Sequence, residues 1–258
     1  MNTHKLSNKK RKKIISLVPS QTELLYDLGL EENIVGITKF CVHPFHAKQT
    51  KKIVGGTKNI KLEKIKELQP DIILCNKEEN TKEIVEACEK ICETHVSEIY
   101  TLEDSIDLIQ EYGTLFNKRI EANAIAQKIQ FKMNDFQKFI QEKPKLKVAY
   151  FIWRNPWMVA ANNTFIDYLL EINNYENIYA NKERYPEVEL KKIRMEGDPD
   201  LVFLSSEPYP FKEEHAFEVG RCTHHAKTVF VDGEMFSWYG SRLLKAFDYF
   251  KQLRTRLE

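Results

Sequence analysis

The chain has 258 residues, with 39 Lys and Arg against 38 Asp and Glu and a net charge of +1. That balance excludes a chain-wide field of the kind that draws in nucleic acid or an anionic membrane surface. No apolar run reaches the roughly 18–20 residues needed to span a bilayer, so membrane insertion is excluded as well, and the length suits one large or two medium domains with a substantial core.

The one strong charge run, Lys9–Lys13, is followed only by Ile14–Val18 before Pro19, far short of the apolar stretch of an export signal. The five cysteines, at 41, 75, 88, 92 and 222, have no framework spacing and read as reduced thiols. Both features give a cytoplasmic location for the chain as written, and a periplasmic or membrane-associated one if the true start lies upstream.

Ile14–Val18 reads as a strand, and Ser20-Gln-Thr-Glu23 as a capping box opening a helix that Gly29 closes. A strand over 34–38 leads into an irregular loop through Phe40, Cys41, His43 and Pro44. A short helix over 61–68 ends at Pro70, and a buried strand follows over 71–75. Helices near 81–92 and over 102–116, with a strand near 96–100 between them, complete an alternating lobe with a parallel sheet over 14–117. Cys88 and Cys92 share a helix face, either as small buried residues or as metal ligands.

From 118 to 143 the period changes. Ile120, Ala124, Ile125, Ile129, Met133, Phe136 and Ile140 recur at helical spacing without Gly or Pro, which predicts one long connecting helix. A second alternating lobe covers 144–258: a strand over 147–153, a helix from Thr164, a helix near 189–195, a strand over 200–205, a helix near 213, a strand over 228–231 and a last helix from about Tyr239. An internal echo links the lobes, since Leu62–Ile65 and Pro70-Asp71 before one strand match Leu190–Ile193 and Pro199-Asp200 before another. The predicted architecture is α/β, two Rossmann-like lobes joined by a backbone helix, with the ligand cleft between the lobes at the carboxyl ends of the strands.

Candidate site residues follow from composition at those ends. Asn155-Pro156 breaks the strand between Trp153 and Trp157, whose large flat rings serve either a core or a recognition surface. Tyr209, in Glu207-Pro-Tyr-Pro-Phe211, occupies a similar loop after the strand over 200–205. Trp238, Tyr239 and Arg242 precede the last helix, Arg242 as a ligand contact or an ion-pair partner. Cys41 and His43, two residues apart, point the same way on an extended segment and could ligate a metal. His224 and His225 read as surface residues or metal ligands.

Together, Ser16-Leu-Val-Pro-Ser-Gln-Thr-Glu-Leu-Leu25, the Pro-Asp-strand repeat, the long helix and Val231-Asp-Gly-Glu-Met-Phe-Ser-Trp-Tyr-Gly-Ser-Arg242 resemble the helical-backbone class of substrate-binding proteins, closest to the cobalamin-binding proteins of ABC importers. The resemblance covers residues 14 to about 256. It implies that Phe40 stacks on the ligand and that Glu234, Met235, Phe236, Ser237 and Trp238 line the pocket in the second lobe. A family tryptophan falls on Thr57, which leaves Trp153, Trp157 or Trp238 to supply that stacking surface. The family's permease-docking glutamates fall on Glu63 and on Lys191, with Glu189 nearby.

The expected function is non-catalytic binding of cobalamin or a related metal chelate, with no cofactor required, as the component of an ABC importer that hands its small-molecule ligand to a permease. Two alternatives stand beside it: a cytoplasmic receptor or chaperone for haem, a siderophore or a metal ion, and an enzyme acting on a corrinoid.

Overall fold

The computed structural model describes residues 11–257, so the predicted basic run at Lys9–Lys13 lies partly outside the described residues. In chain order the elements are β1 (Ile14–Ser16), α1 (Pro19–Asp27), β2 (Ile34–Ile37), α2 (Ala47–Thr50), β3 (Lys52–Ile53), α3 (Leu62–Leu68), β4 (Ile72–Asn76), α4 (Lys82–Glu89), β5 (Glu93–Ser97), α5 (Leu102–Leu115) and α6 (Arg119–Ile140). They continue with β6 (Leu146–Trp153), β7 (Met158–Val159), α7 (Phe165–Ile172), β8 (Tyr175–Asn177), α8 (Ile193–Glu196), β9 (Leu201–Ser205), α9 (Glu213–Gly220), β10 (Lys227–Val231), α10 (Gly233–Ser237) and α11 (Leu243–Leu257).

Two five-stranded sheets result. The first is wholly parallel in the order β3-β2-β1-β4-β5. The second runs β10-β9-β6-β7, with β8 also paired to β6, and only β7 is antiparallel. In each lobe the opening strand, β1 or β6, lies inside its sheet and is fully buried over most of its length. Central parallel strands are covered on both faces, which is why these runs are apolar and β-branched rather than alternating.

The Pro-Asp echo is a structural device. Asp71 Oδ2 accepts from the Lys13 amide at 2.7 Å, and Asp200 Oδ2 accepts from the Lys147 amide at 2.7 Å. In both lobes the Asp amide also donates to that Lys carbonyl at 2.9 Å. Each aspartate therefore satisfies backbone at the entry of the opening strand and fixes where that strand begins.

The lobes are divided differently from the expectation of 14–117, 118–143 and 144–258. The first comprises residues up to Glu98 together with Gln110–Ala122, and the second comprises Ile99–Ile109 together with Asn123–Glu258. The division cuts α5 and α6, and most of the long helix belongs to the second lobe rather than standing apart. Phe136 packs 5.8 Å from Phe247 and 6.0 Å from Phe250 of α11, and Lys132 pairs with Asp248 across the same contact.

Two local expectations are corrected. Ser20-Gln-Thr-Glu23 is not a capping box: α1 begins at Pro19, its N-cap is Val18 without a side-chain hydrogen bond, and all four residues are buried inside the helix. Proline at the first helical position needs no partner for its nitrogen, so the motif is released for tertiary use. Gln21 donates to Ser97 Oγ at 2.7 Å and accepts from Tyr112 at 2.8 Å, while Thr22 donates to Ser16 at 2.8 Å. The strand expected at 96–100 is β5, three residues earlier, because Glu93–Ser97 pairs along Ile72–Asn76. The Gly29 expectation holds in form: Gly29 has φ 69° just past α1, and Leu30 donates back to Leu25 at 2.9 Å.

Candidate functional site

In a parallel sheet every strand delivers its following loop to the same edge, so each lobe has one carboxyl-end rim. On the first rim, Phe40 follows β2. Its ring is 48% exposed and lies against Gly56, where an added Cβ would stand 3.1 Å from Cε2, with Lys39 Nζ 4.9 Å from the ring centroid. Phe45, in the same loop, is 83% exposed and was not among the expected residues. An aromatic two residues after His43 was the signal for it.

Cys41 corrects the metal expectation. Its thiol is fully buried, with Sγ 3.1 Å from Thr22 Oγ1 and 3.2 Å from Thr38 Oγ1. Burial pushes its pKa above the ordinary thiol value, which disfavours the thiolate a metal would require. His43 is half-buried in the loop beyond, while the Cys41 thiol is held inward between the Thr22 and Thr38 hydroxyls. Among the described residues no group of three or more His, Cys, Asp and Glu side chains is disposed to hold a metal ion. Cys88 lies in the core beside Cys75, and His224 and His225 are exposed, His225 within 3.5 Å of Asp200.

The loop after β4 brings a further group that sequence reading missed. Glu79 is half-buried beside Thr57 and Lys58, and burial raises its carboxyl pKa, opposed by the Lys58 ammonium and a Thr57 hydrogen bond. Thr57, where the resemblance places a tryptophan, has its carbonyl held by Asn80 Nδ2 at 3.0 Å. A raised carboxyl keeps its proton in the folded chain at pH values where the unfolded chain has lost it. Stability should therefore fall as pH rises above the ordinary value of 4.5. Urea unfolding at several pH values should show this decline in the wild type and a flatter profile in Glu79→Gln; parallel profiles would contradict it.

The second rim is aromatic. Trp153, 39% exposed at the end of β6, meets Tyr209 edge-on at 5.4 Å, and Tyr209 meets Phe211 at 4.9 Å. Trp157 stacks on Phe211 at 5.8 Å and 11° between planes. Arg154 covers Trp157 at 5.7 Å and donates through Nε and Nη2 to Glu218 Oε2 at 3.0 and 2.8 Å. Trp157 and Glu218 also line a cavity of about 600 Å³ with Glu189, Lys191, Arg221 and Cys222. Trp153, Tyr209, Phe211 and Trp157 thus form one chain of ring contacts.

The segment after β10 is folded inward more than expected. Asp232 caps α10, its Oδ1 accepting from the Glu234 amide at 3.1 Å. Phe236 is fully buried, 4.8 Å from Phe250 and 5.2 Å from Tyr150, so it belongs to the core and not to a pocket wall. On a five-residue helix the apolar face must turn to the sheet, which carries Phe236 away from the rim. Trp238 is 6% exposed and Arg242 3%: Arg242 pairs with Glu234 at 3.2 Å and covers the Trp238 ring at 4.8 Å. Tyr239 is buried edge-on to Phe165 at 6.1 Å. Met235 and Ser237 are half-buried.

Glu207, not among the expected site residues, ties the two clusters. Its Oε1 accepts from Ser237 Oγ and from Trp238 Nε1, both at 2.8 Å, while Tyr209 lies two residues along the same loop. The docking candidate Glu63 is exposed on α3 and paired with Lys66 at 2.8 Å, and Glu189 is likewise paired with Lys192 at 2.6 Å.

Two β/α lobes with mainly parallel sheets and one 22-residue helix are the architecture of the helical-backbone class of substrate-binding proteins. The chain belongs to the periplasmic binding protein family, whose model matches residues 14–220. It is 25% identical over 250 residues to the ABC transporter substrate-binding lipoprotein YvrC of Bacillus subtilis, covering 92% of this chain and 78% of that protein. A vitamin B12-binding protein of Vibrio parahaemolyticus is 23% identical over 78% of this chain and 73% of its own length. Among solved structures, the periplasmic vitamin B12 binding protein BtuF of Vibrio cholerae matches with TM-score 0.81 at 19% identity, covering 95% of this chain and 98% of its own. A periplasmic heme binding protein of Pseudomonas aeruginosa matches with TM-score 0.81 at 20% identity, covering 94% and 92%.

Proposed function

We propose that the chain binds a metal chelate of the corrinoid or haem type without transforming it, as the substrate-binding component of an ABC importer. The observation that carries this reading is the set of rings left accessible at the carboxyl-end rims: Phe40 in the first lobe, Trp153 and Tyr209 in the second. Large flat ligands are held by apolar stacking, with a few polar groups setting orientation. The relatives named for vitamin B12 and heme supply the ligand class, and cobalamin is the first candidate because several curated relatives are named vitamin B12-binding protein. The names lipoprotein and periplasmic carried by the relatives support action outside the cytoplasmic membrane. A permease partner would meet the exposed Glu63 and, in the second lobe, the exposed Lys191 and Glu189.

Hydroxocobalamin and hemin, each mixed with the purified chain and passed through a desalting column, test the reading by absorbance. One of the two colours is expected to travel with the protein at about one ligand per chain, and two colourless fractions would contradict it. Phe40→Ala should weaken retention about tenfold or more, the loss of one stacked aromatic contact. Its exposed ring should leave thermal unfolding nearly unchanged.

A further inference from the structure

We infer that Tyr209 is a specificity-determining hydrogen-bond donor of the second lobe, and that His215 is the positioning residue that makes it one. The inference rests on the ligand-binding reading above and names the chemistry Tyr209 selects. His215 is the third residue of α9, 5% exposed, with its ring edge-on to Tyr209 at 5.4 Å and to Phe211 at 5.6 Å. The Lys212 amide, just before the helix, donates to His215 Nδ1 at 2.8 Å. A nitrogen that accepts from a backbone N–H carries no proton of its own, so the network assigns the ring proton to Nε2.

Nε2 stands 3.2 Å from the Tyr209 hydroxyl oxygen and 3.6 Å from Glu214 Oε1, the latter beyond ordinary hydrogen-bond reach. Nε2–H therefore donates to Tyr209, and the phenolic hydrogen must point elsewhere. Tyr209 is half-exposed beside the accessible Trp153 ring, so its O–H is presented as a donor at the rim. The matching ligand group is an acceptor oxygen, an amide carbonyl or a carboxylate carried on the edge of a flat ring system. The capping contact at Lys212 does two things at once: it satisfies a helix N-terminal amide and it sets the direction of a hydrogen bond to a residue three positions before the cap.

The test has two arms on the full chain. Long-range proton–nitrogen correlation of ring-labelled histidine at neutral pH should show His215 in the Nε2–H form, and an Nδ1–H signature overturns the inference whatever the ligand. Titration with hydroxocobalamin, which offers amide carbonyls, and hemin, which offers carboxylates, identifies the acceptor. Tyr209→Phe should weaken the retained probe about 3- to 10-fold, the range for one net hydrogen bond, with little change in thermal stability. His215→Phe should weaken it similarly, and the double variant should be no weaker than Tyr209→Phe alone, because both remove one contact. Wild-type affinity in Tyr209→Phe, or additive losses, would overturn the assignment. Retention of neither probe by the wild type would instead remove the ligand reading, with the tautomer still deciding whether Tyr209 is held as a donor.

Discussion

Glu207→Ala is expected to abolish most ligand retention and to cost about 1–3 kcal/mol of stability, the penalty for a buried donor left without its acceptor. The Trp238 indole is 6% exposed, and its Nε1–H is held at 2.8 Å by Glu207 Oε1. Truncation removes the acceptor of that buried N–H, whereas Ser237 Oγ retains the Gly233 carbonyl at 2.9 Å. Loss of the clamp frees the loop that carries Tyr209 from the segment that carries Trp238, so affinity falls with stability. Glu207→Gln keeps an acceptor oxygen in place and should recover most of both. Thermal unfolding and probe titration on the three proteins check this, and a Glu207→Ala protein as stable and as tightly binding as wild type would refute it.

Phe236→Ala should cost more, about 3–5 kcal/mol, the range for deleting a buried aromatic. The ring touches Tyr150, Phe203, Tyr249 and Phe250, contributed by β6, β9 and α11, and none of these elements can close over the void without moving the others. Denaturant midpoints should fall accordingly at unchanged slope, while the fraction that stays folded should still retain the probe. Preserved stability with lost binding would return Phe236 to the pocket wall where the resemblance placed it.

These two residues show what was legible in the sequence. The alternation of strand and helix, the long helix and the Pro-Asp echo are periodicities, and local chemistry fixes them: Asp71 and Asp200 perform the same backbone task in the two lobes. The aromatic loop at Trp153–Trp157 was equally readable, because Asn155-Pro156 must end a strand where two indoles stand. Burial within a motif was not. Ser20–Glu23 has the pattern of a cap, yet proline one residue earlier starts the helix and turns the motif into an interior network.

The same limit separates Phe40 from Cys41, adjacent in sequence and opposite in exposure. It also separates Tyr209 from Phe236: both are aromatic residues close after a strand, but only the second sits on a short helix whose apolar face must meet the sheet. Short elements such as β7, β8 and α10 carry too few residues to show a period: β7 and β8 exist by pairing with β6, and α10 by its Asp232 cap and its buried Phe236. Glu207 was visible as a residue, but its role as a shared acceptor required the fold to bring residues about thirty positions apart together.

Native mass spectrometry of the chain purified from its own host reads cargo and stoichiometry in one spectrum. Binding of a flat metal chelate predicts one added mass per chain, matching a corrinoid or a haem and reduced in Phe40→Ala and Glu207→Ala. An adduct-free wild-type spectrum that stays adduct-free after incubation with hydroxocobalamin and with hemin would contradict it.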